Sequence, residues 1–196
     1  MEERLEQQLA FALELDKEKN IFRQTHLSGG GRNENDAEHA WHMALMVWLL
    51  KEYANEEFDL AKAMLMALVH DVVEIDAGDT YAYDTAALAT QQEREARAAD
   101  RIFGLLPEEQ GRLLRELFEE FEAWQSPEAK FVHAIDNLQP LLLNHSNNGG
   151  DWKEHGVSYQ QVEGRQKKTA LGSQALWEYT RGLMEEHLRR GNLSRE

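Results

Sequence analysis

Apolar residues recur at helical spacing along most of the chain. Leu5 and Leu9 lie four residues apart in a segment whose pattern predicts an amphipathic helix from Leu5 to Phe22. Two later segments, Ala40–Leu50 and Leu60–Val69, are apolar at almost every position. A helix that is apolar on all faces is normally buried on all sides, so we expect these two segments to form the centre of the fold.

Capping residues, prolines and glycines predict where the helices begin and end. Asn35 or Asp36 can cap the first apolar helix, and Ser126 stands before Pro127, a favoured first helical residue. The segment Thr25–Asn35 contains three consecutive glycines and is expected to be a loop. The predicted helices span about residues 5–22, 35–53, 60–75, 93–106, 108–124, a segment that starts at 127, and 173–190.

The composition predicts an all-α fold. The chain has 26 Leu and 22 Ala but only 7 Val and 4 Ile, and helices favour Leu and Ala whereas strands favour the β-branched residues. No run of alternating apolar and polar residues predicts a strand. At 196 residues the chain is expected to form a single domain over 1–196, a helical bundle.

Charge and cysteine content exclude several classes of function. The net charge is −15 and no basic patch is evident, so nucleic acid and anionic membranes are not expected partners. There is no Cys, which excludes disulfides, thiolate nucleophiles and iron–sulfur clusters. The longest apolar run, Met43–Leu50, is too short to cross a membrane, and the acidic N-terminus does not resemble a signal peptide. We therefore expect a cytoplasmic protein.

Four residues that commonly bind metals stand in or beside the apolar helices. His39 lies at the start of the first, His70 and Asp71 follow the second, and Asp136 lies in the helix after Pro127. Burying a charged group costs several kcal/mol unless it is paired or bound to a metal, and no Lys or Arg stands next to these residues in the sequence. A divalent cation such as Zn²⁺, Mn²⁺, Co²⁺, Fe²⁺ or Mg²⁺ would satisfy all four groups.

The order and local sequence of these residues resemble a known family. The segments GRNENDAEHAWHMAL, HDVVEIDAGDTYAYD and HAIDNLQPLLLN are similar to those of the HD-domain metal-dependent phosphohydrolases, in the branch that includes the bacterial 5′-deoxynucleotidases. The resemblance extends over about residues 13–156 and leaves 157–196 as a helical extension. It implies that His39, His70, Asp71 and Asp136 bind one divalent ion.

The resemblance also implies roles for residues around the ligands. Glu74 and Asp79 match positions that handle the attacking water and the substrate, and Arg23 matches an arginine that contacts the phosphate. Arg32 competes with Arg23 for that role, because the loop between them differs in length from that of the family. Carboxylates near a metal-activated water are suited to acid–base catalysis, and a guanidinium is suited to a phosphate.

Other polar and aromatic residues are given supporting roles. His42 and His133 lie close to ligand positions in the sequence, and we expect them to pack or to support the ligands rather than to bind the ion. Tyr81 and Tyr83 follow Asp79 and are expected to line a substrate pocket.

The resemblance predicts that the protein is a phosphomonoesterase acting on deoxynucleoside or nucleoside 5′-monophosphates. The relatives also imply a homodimer. Three alternatives remain. The first is another phosphohydrolase, acting on a nucleoside triphosphate or a cyclic nucleotide. The second is a di-iron oxygenase, which is disfavoured because no His lies between Asp71 and His133. The third is a metal- or nucleotide-binding module without catalysis, against which Glu74 and Asp79 argue.

Overall fold

The computed structural model describes residues 1–195, the side chain of Thr85 excepted, and it confirms the all-α prediction. Short 3₁₀ segments lie at Asp16–Asn20, Lys51–Tyr53 and Lys167–Leu171. Two strands pair as an antiparallel hairpin, β1 (Phe22–His26) with β2 (Asn33–Asn35). The helices are α1 (Glu2–Leu15), α2 (Asp36–Leu50), α3 (Leu60–Val69), α4 (Glu74–Ala77), α5 (Thr85–Phe103), α6 (Glu108–Ala123), α7 (Pro127–Ser146), α8 (Gly150–Glu154), α9 (Tyr159–Gln166) and α10 (Gln174–Arg189).

The expected caps fix the starts of the two helices that carry His39 and Asp136. The Asn35 side chain accepts a hydrogen bond from the backbone N–H of Glu38, whose side chain accepts one in return from the N–H of Asn35. This reciprocal pair satisfies two backbone donors at the start of α2. The Ser126 hydroxyl caps α7 in a similar way, directly before Pro127.

The main core lies where α2, α3 and α7 pack together. Met43 of α2, Met66 of α3 and Ile135 of α7 are each fully buried there. A second, smaller cluster joins the C-terminal half of α7 to α8, α9 and α10, with Trp152 and Met184 buried in it. Helix α7 therefore belongs to both clusters, so its inward face is held in place along its length.

The hairpin corrects two of the predictions. The first helix ends at Leu15 rather than Phe22, because the charged run after it has no apolar face to bury. The predicted loop at 25–35 is instead partly β-structure, and its strands are joined by three consecutive glycines, at φ of +83°, +84° and +101° for Gly29, Gly30 and Gly31. Only glycine adopts such backbone angles without strain.

Two further helix boundaries differ from the prediction. Helix α3 ends at Val69, and a turn separates it from the short α4, where the pattern predicted one helix to residue 75. Helix α5 begins at residue 85 rather than 93, because the Asp84 side chain accepts hydrogen bonds from the backbone N–H groups of Ala86 and Ala87. A good cap and helix-favouring residues extend this helix without an apolar pattern.

The expectation that the two apolar helices are buried on all sides is wrong. One face of α2 and one face of α3, two helices that pack together, are exposed to solvent; Trp41 and Leu49 are 62% and 61% exposed. The α2–α3 apolar face consists of Trp41, Leu45, Trp48, Leu49, Leu65 and Leu68. An all-apolar sequence shows that a helix has no charged face. It does not determine which neighbouring element, if any, covers each face.

Among residues 1–195, none of the helices combines the length and the apolar content that a membrane crossing requires.

Candidate metal centre

A cavity of about 440 Å³ opens between the hairpin, the α3–α4 turn, α7 and α9. The candidate site residues converge on it from four separate parts of the chain. His39 lies fully buried beneath it on α2. The candidates that line the cavity are Arg23, His70, Asp71, Glu74, Asp79 and Asp136.

The two imidazoles are oriented by hydrogen bonds on one ring nitrogen each. Nδ1 of His70 lies 3.0 Å from the carbonyl oxygen of Ala67, which can only accept, so the proton is on Nδ1. Nδ1 of His39 lies 3.0 Å from Oε1 of Gln139, likewise an acceptor. Each ring therefore directs Nε2 away from its Nδ1 partner, and Nε2 can present a lone pair to a cation, which is the usual arrangement of metal-binding histidines.

Carboxylate oxygens face these lone pairs. Oδ1 of Asp136 lies 3.3 Å from Nε2 of His39, and Oδ2 of Asp71 lies 3.1 Å from Nε2 of His70 and 3.9 Å from Nε2 of His39. Nε2 of His70 is buried without a hydrogen-bond partner. One donor atom each from His39, His70 and Asp136 lies within 4.8 Å of the others. Lone pairs aimed at one point repel unless a cation lies between them, so this donor set fits a divalent ion.

The pKa values of the candidate ligands show that positive charge is favoured where their donor atoms converge. Although burial opposes protonation, the Asp71 carboxylate raises the pKa of the His70 imidazole to about 9. Burial alone would raise the pKa of Asp71 and of Asp136, but the neighbouring imidazoles hold both below the usual carboxyl range. Groups that stabilise one another's charged forms in this way are common at functional sites.

The structure brings Arg23, and not Arg32, to the cavity. Nη1 of Arg23, on β1, lies 2.8 Å from Oδ2 of Asp71 and 3.4 Å from Oδ1 of Asp36, and its side chain is 12% exposed. Arg32 instead pairs with Glu38 on the surface. The hairpin that the sequence did not predict therefore places a buried guanidinium beside a candidate metal ligand.

Glu74 and Asp79 lie on the α3–α4 side of the cavity. The Glu74 side chain approaches Asp36 and Asp71, with one carboxyl oxygen from each within 4.8 Å, and its Oε2 is buried without a hydrogen-bond partner. Burial, and then the charge of Asp71, raises the pKa of Glu74 well above its usual value. Burial also raises the pKa of Asp79. Both carboxyls therefore hold a proton more readily than a solvent-exposed acid does.

His42 and His133 stay outside the cluster of converging donors. Nδ1 of His42 lies 3.1 Å from Nε2 of Gln139, the residue that orients His39. The His133 ring stacks between Phe121 and Trp124, at 3.7 Å and 3.5 Å between ring centroids. Both histidines therefore pack around the candidate ligands.

Three polar residues that the sequence reasoning did not single out for function lie beside the cluster. Asp36, noted only as a possible cap, is fully buried, and burial raises its pKa to about 7. Gln139 connects His39 to Glu34, donating through Nε2 to Oε1 of Glu34 at 2.7 Å. Arg165 of α9 lies against Asp136. The sequence distinguished these three residues only as polar positions within segments predicted to be apolar or helical.

Tyr81 and Tyr83 both line the cavity, as expected. Their rings meet edge to face at 5.2 Å between centroids, and Tyr81 also contacts His155 at 5.0 Å. They form an aromatic part of the wall near Asp79.

The fold and the site together define an all-α domain, apart from one hairpin, in which donor atoms of His39, His70 and Asp136 converge and Asp71 lies beside both histidines. This arrangement fits a divalent cation. The HD-domain family model matches residues 15–177. This chain belongs to the HD-domain family.

Similar proteins agree with that assignment. A solved structure of a predicted metal-dependent phosphohydrolase from Magnetospirillum magnetotacticum superposes with a TM-score of 0.94 at 47% identity, over 98% of this chain and 97% of that one. The 5′-deoxynucleotidase HDDC2 of Homo sapiens is 34% identical over 57% of this chain and 53% of its own length. The Danio rerio protein of the same name is 31% identical over 67% and 58%. This chain thus spans little more than half the length of these curated relatives.

Proposed function

We propose that this protein is a metal-dependent phosphohydrolase that cleaves deoxynucleoside 5′-monophosphates into nucleoside and phosphate. The observation that carries the proposal is the convergence of the Nε2 atoms of two imidazoles and two carboxylates at one side of the cavity, beside the Arg23 guanidinium. The names of the similar proteins support the reaction and the substrate class.

In this proposal His39, His70, Asp71 and Asp136 hold the ion. When bound, a divalent ion supplies Lewis-acid polarisation of a phosphoryl oxygen and makes a water molecule more acidic. We assign the remaining steps to side chains of the cavity. Arg23 binds phosphate oxygens through the guanidinium donors that its contacts with Asp71 and Asp36 leave available.

Glu74 is the proposed general base. One of its carboxyl oxygens lies within 4.8 Å of Asp71, and its buried Oε2 has no hydrogen-bond partner. A cation bound beside it would favour the ionised carboxylate, which can then accept a proton from the attacking water. Asp79 lines the same cavity and is assigned to the leaving side, where it donates a proton or a hydrogen bond to the departing sugar oxygen. Tyr81 and Tyr83, which line the same cavity, are assigned to contact the nucleoside.

A nucleoside triphosphate fits this cavity less well than a monophosphate. Among the described residues of the cavity wall, the cationic side chains are Arg23, Arg165 and Lys168, and carboxylates outnumber them. The larger negative charge of a triphosphate would meet more repulsion here.

Phosphate release from a nucleotide panel tests the proposal. The panel contains mono-, di- and triphosphates in ribo and deoxy forms, 3′-monophosphates and a cyclic nucleotide, each with Co²⁺, Mn²⁺, Mg²⁺ or EDTA. We expect metal-dependent release from 5′-monophosphates, faster for deoxyribose, with EDTA abolishing it. Release confined to triphosphates or cyclic nucleotides, or activity that EDTA does not reduce, would contradict the proposal.

We also propose that two copies of the chain associate through the α2–α3 apolar face. At a net charge of −15 two copies repel one another over most of their surface. The face itself carries two Trp and four Leu, so contact there buries apolar area.

Replacing Leu49 with glutamate is expected to separate the two copies, because it would place a carboxylate in the apolar contact. Light scattering after gel filtration should give twice the chain mass of 22.6 kDa for the wild type and the single mass for Leu49→Glu. Leu113→Glu is the matched control, since Leu113 is similarly exposed, at 57%, but lies on α6. A wild type that is monomeric at micromolar concentration would rule out the dimer.

A further inference from the structure

Arg165 reaches the candidate metal centre from α9. Its Nη2 lies 3.3 Å from Oδ2 of Asp136, and the other carboxylate oxygen of Asp136, Oδ1, lies 3.3 Å from Nε2 of His39. A single carboxylate therefore separates the Arg165 guanidinium from the point where the ligand atoms converge. Arg165 lies within 157–196, outside the motif-bearing part of the sequence.

The position of Arg165 is fixed by its neighbours on α9. Ser158 and Gln161 form a reciprocal cap at the start of the helix, and Val162 is buried in the smaller core cluster. The residue after Arg165, Gln166, is buried and donates through Nε2 to the backbone carbonyl of Asn137 at 2.7 Å. Because these contacts tie α9 to α7, the guanidinium is held over the cavity.

Arg165 has hydrogen-bonding capacity that its one carboxylate contact does not use. A guanidinium has five N–H donors, and the contact with Asp136 is long for a charged pair. The side chain is 31% exposed, whereas that of Arg23 is 12% exposed and contacts two carboxylates. Of the two arginines, Arg165 is thus the one with more surface open to a ligand in the cavity.

Lys168 adds a second positive charge from the same segment. It also lines the cavity, and its Nζ lies 5.3 Å from the centre of the Trp124 ring, where the π-face holds a cation. Lys167, next to it, is exposed but does not line the cavity. Apart from Arg23 and the histidines, the other charged side chains of the cavity wall are carboxylates, so Arg165 and Lys168 supply the positive charge that an anionic ligand needs in addition to Arg23.

We propose that Arg165 is a substrate-binding residue whose guanidinium holds the phosphate group of the ligand, with Lys168 adding attraction for the same anion. The inference rests on the proposed function only in that the ligand is a phosphate ester. The competing role is structural, in which Arg165 merely positions Asp136.

Binding of inorganic phosphate to the metal-loaded protein tests this role without relying on turnover. By titration calorimetry we expect Arg165→Gln to weaken phosphate binding by about 10- to 100-fold, the loss typical of a charge-assisted hydrogen bond. With 5′-monophosphates, KM should rise by a similar factor while kcat changes by less than about threefold. Metal content should stay equal to that of the wild type.

Matched controls separate local from general charge effects. Arg181→Gln removes an exposed arginine of α10 and should leave phosphate binding unchanged. Lys168→Gln should weaken binding by a smaller factor than Arg165→Gln, and Lys167→Gln should not weaken it.

These experiments distinguish failure of the proposed Arg165 role from failure of the proposed hydrolase function. If Arg165→Gln loses metal or kcat while the phosphate affinity is unchanged, Arg165 only positions Asp136 and the inference is wrong. It is equally wrong if the metal-loaded wild type binds no phosphate at millimolar concentration. If the wild type binds phosphate through Arg165 but hydrolyses no nucleotide of the panel, the inference stands and the proposed function does not.

Discussion

Asp71→Ala is expected to lose its bound divalent metal and to fall at least about 10³-fold in phosphate release. Oδ2 of Asp71 faces Nε2 of both His39 and His70, so its removal takes a proposed ligand from the site. No other described carboxylate lies as close to Nε2 of His70. Metal analysis after dialysis, with the phosphate assay on the same sample, measures both effects.

Loss of folding must be separated from loss of metal in this experiment. Asp71 also neutralises the buried Arg23, and an unpaired buried charge destabilises a fold by several kcal/mol. Asp71→Asn keeps the side-chain volume, and thermal unfolding by circular dichroism reports the stability of each variant. Asp76→Ala is the control, because Asp76 lies close in the chain but pairs with Arg101. Wild-type metal content in a folded Asp71→Asn protein would refute the ligand assignment.

Glu74→Gln is expected to keep the metal but to lose about 10²- to 10⁴-fold in kcat. The amide has nearly the same shape as the carboxyl but cannot accept the proton of the attacking water. Because Glu74 contacts Asp36 and Asp71 rather than the two imidazoles, KM and metal content should change little. Steady-state kinetics at saturating metal, with metal analysis, test both statements.

The matched control for this variant is Glu95→Gln. Glu95 is also buried, lines the same cavity and accepts a hydrogen bond from Gln91. Its replacement removes one acidic group from the wall without touching the α3–α4 turn, so activity should stay within about threefold of the wild type. An unchanged kcat in Glu74→Gln would remove Glu74 from the mechanism.

The positions of the main helices could be predicted because they depend on interactions between residues close in the sequence. The Asn35 and Ser126 caps and the apolar spacing of the core segments place α2, α6 and α10 close to their observed bounds, and they place the starts of α3 and α7. These signals act within one helical turn, so they are readable from the chain alone. The β-hairpin was missed because its strands have no alternating pattern and are stabilised by pairing between residues about ten positions apart.

The extent of burial was less predictable than the helices themselves. The same apolar composition describes Met43, fully buried in the core, and Leu49, largely exposed. The periodicity of the sequence identifies which side chains are apolar. Whether each of them is buried depends on which element or second molecule packs against it.

The sequence by itself determined the helical class, the starts of the main helices and the residue types of the candidate site. His39, His70, Asp71 and Asp136 were identifiable because imidazoles and carboxylates within apolar segments need a compensating partner. Only the tertiary structure decided which partners these residues have. It placed Arg23 beside Asp71 through the hairpin and Arg165 beside Asp136 through α9. Such contacts join residues tens of positions apart, and packing of the whole chain, rather than any local pattern, brings them together.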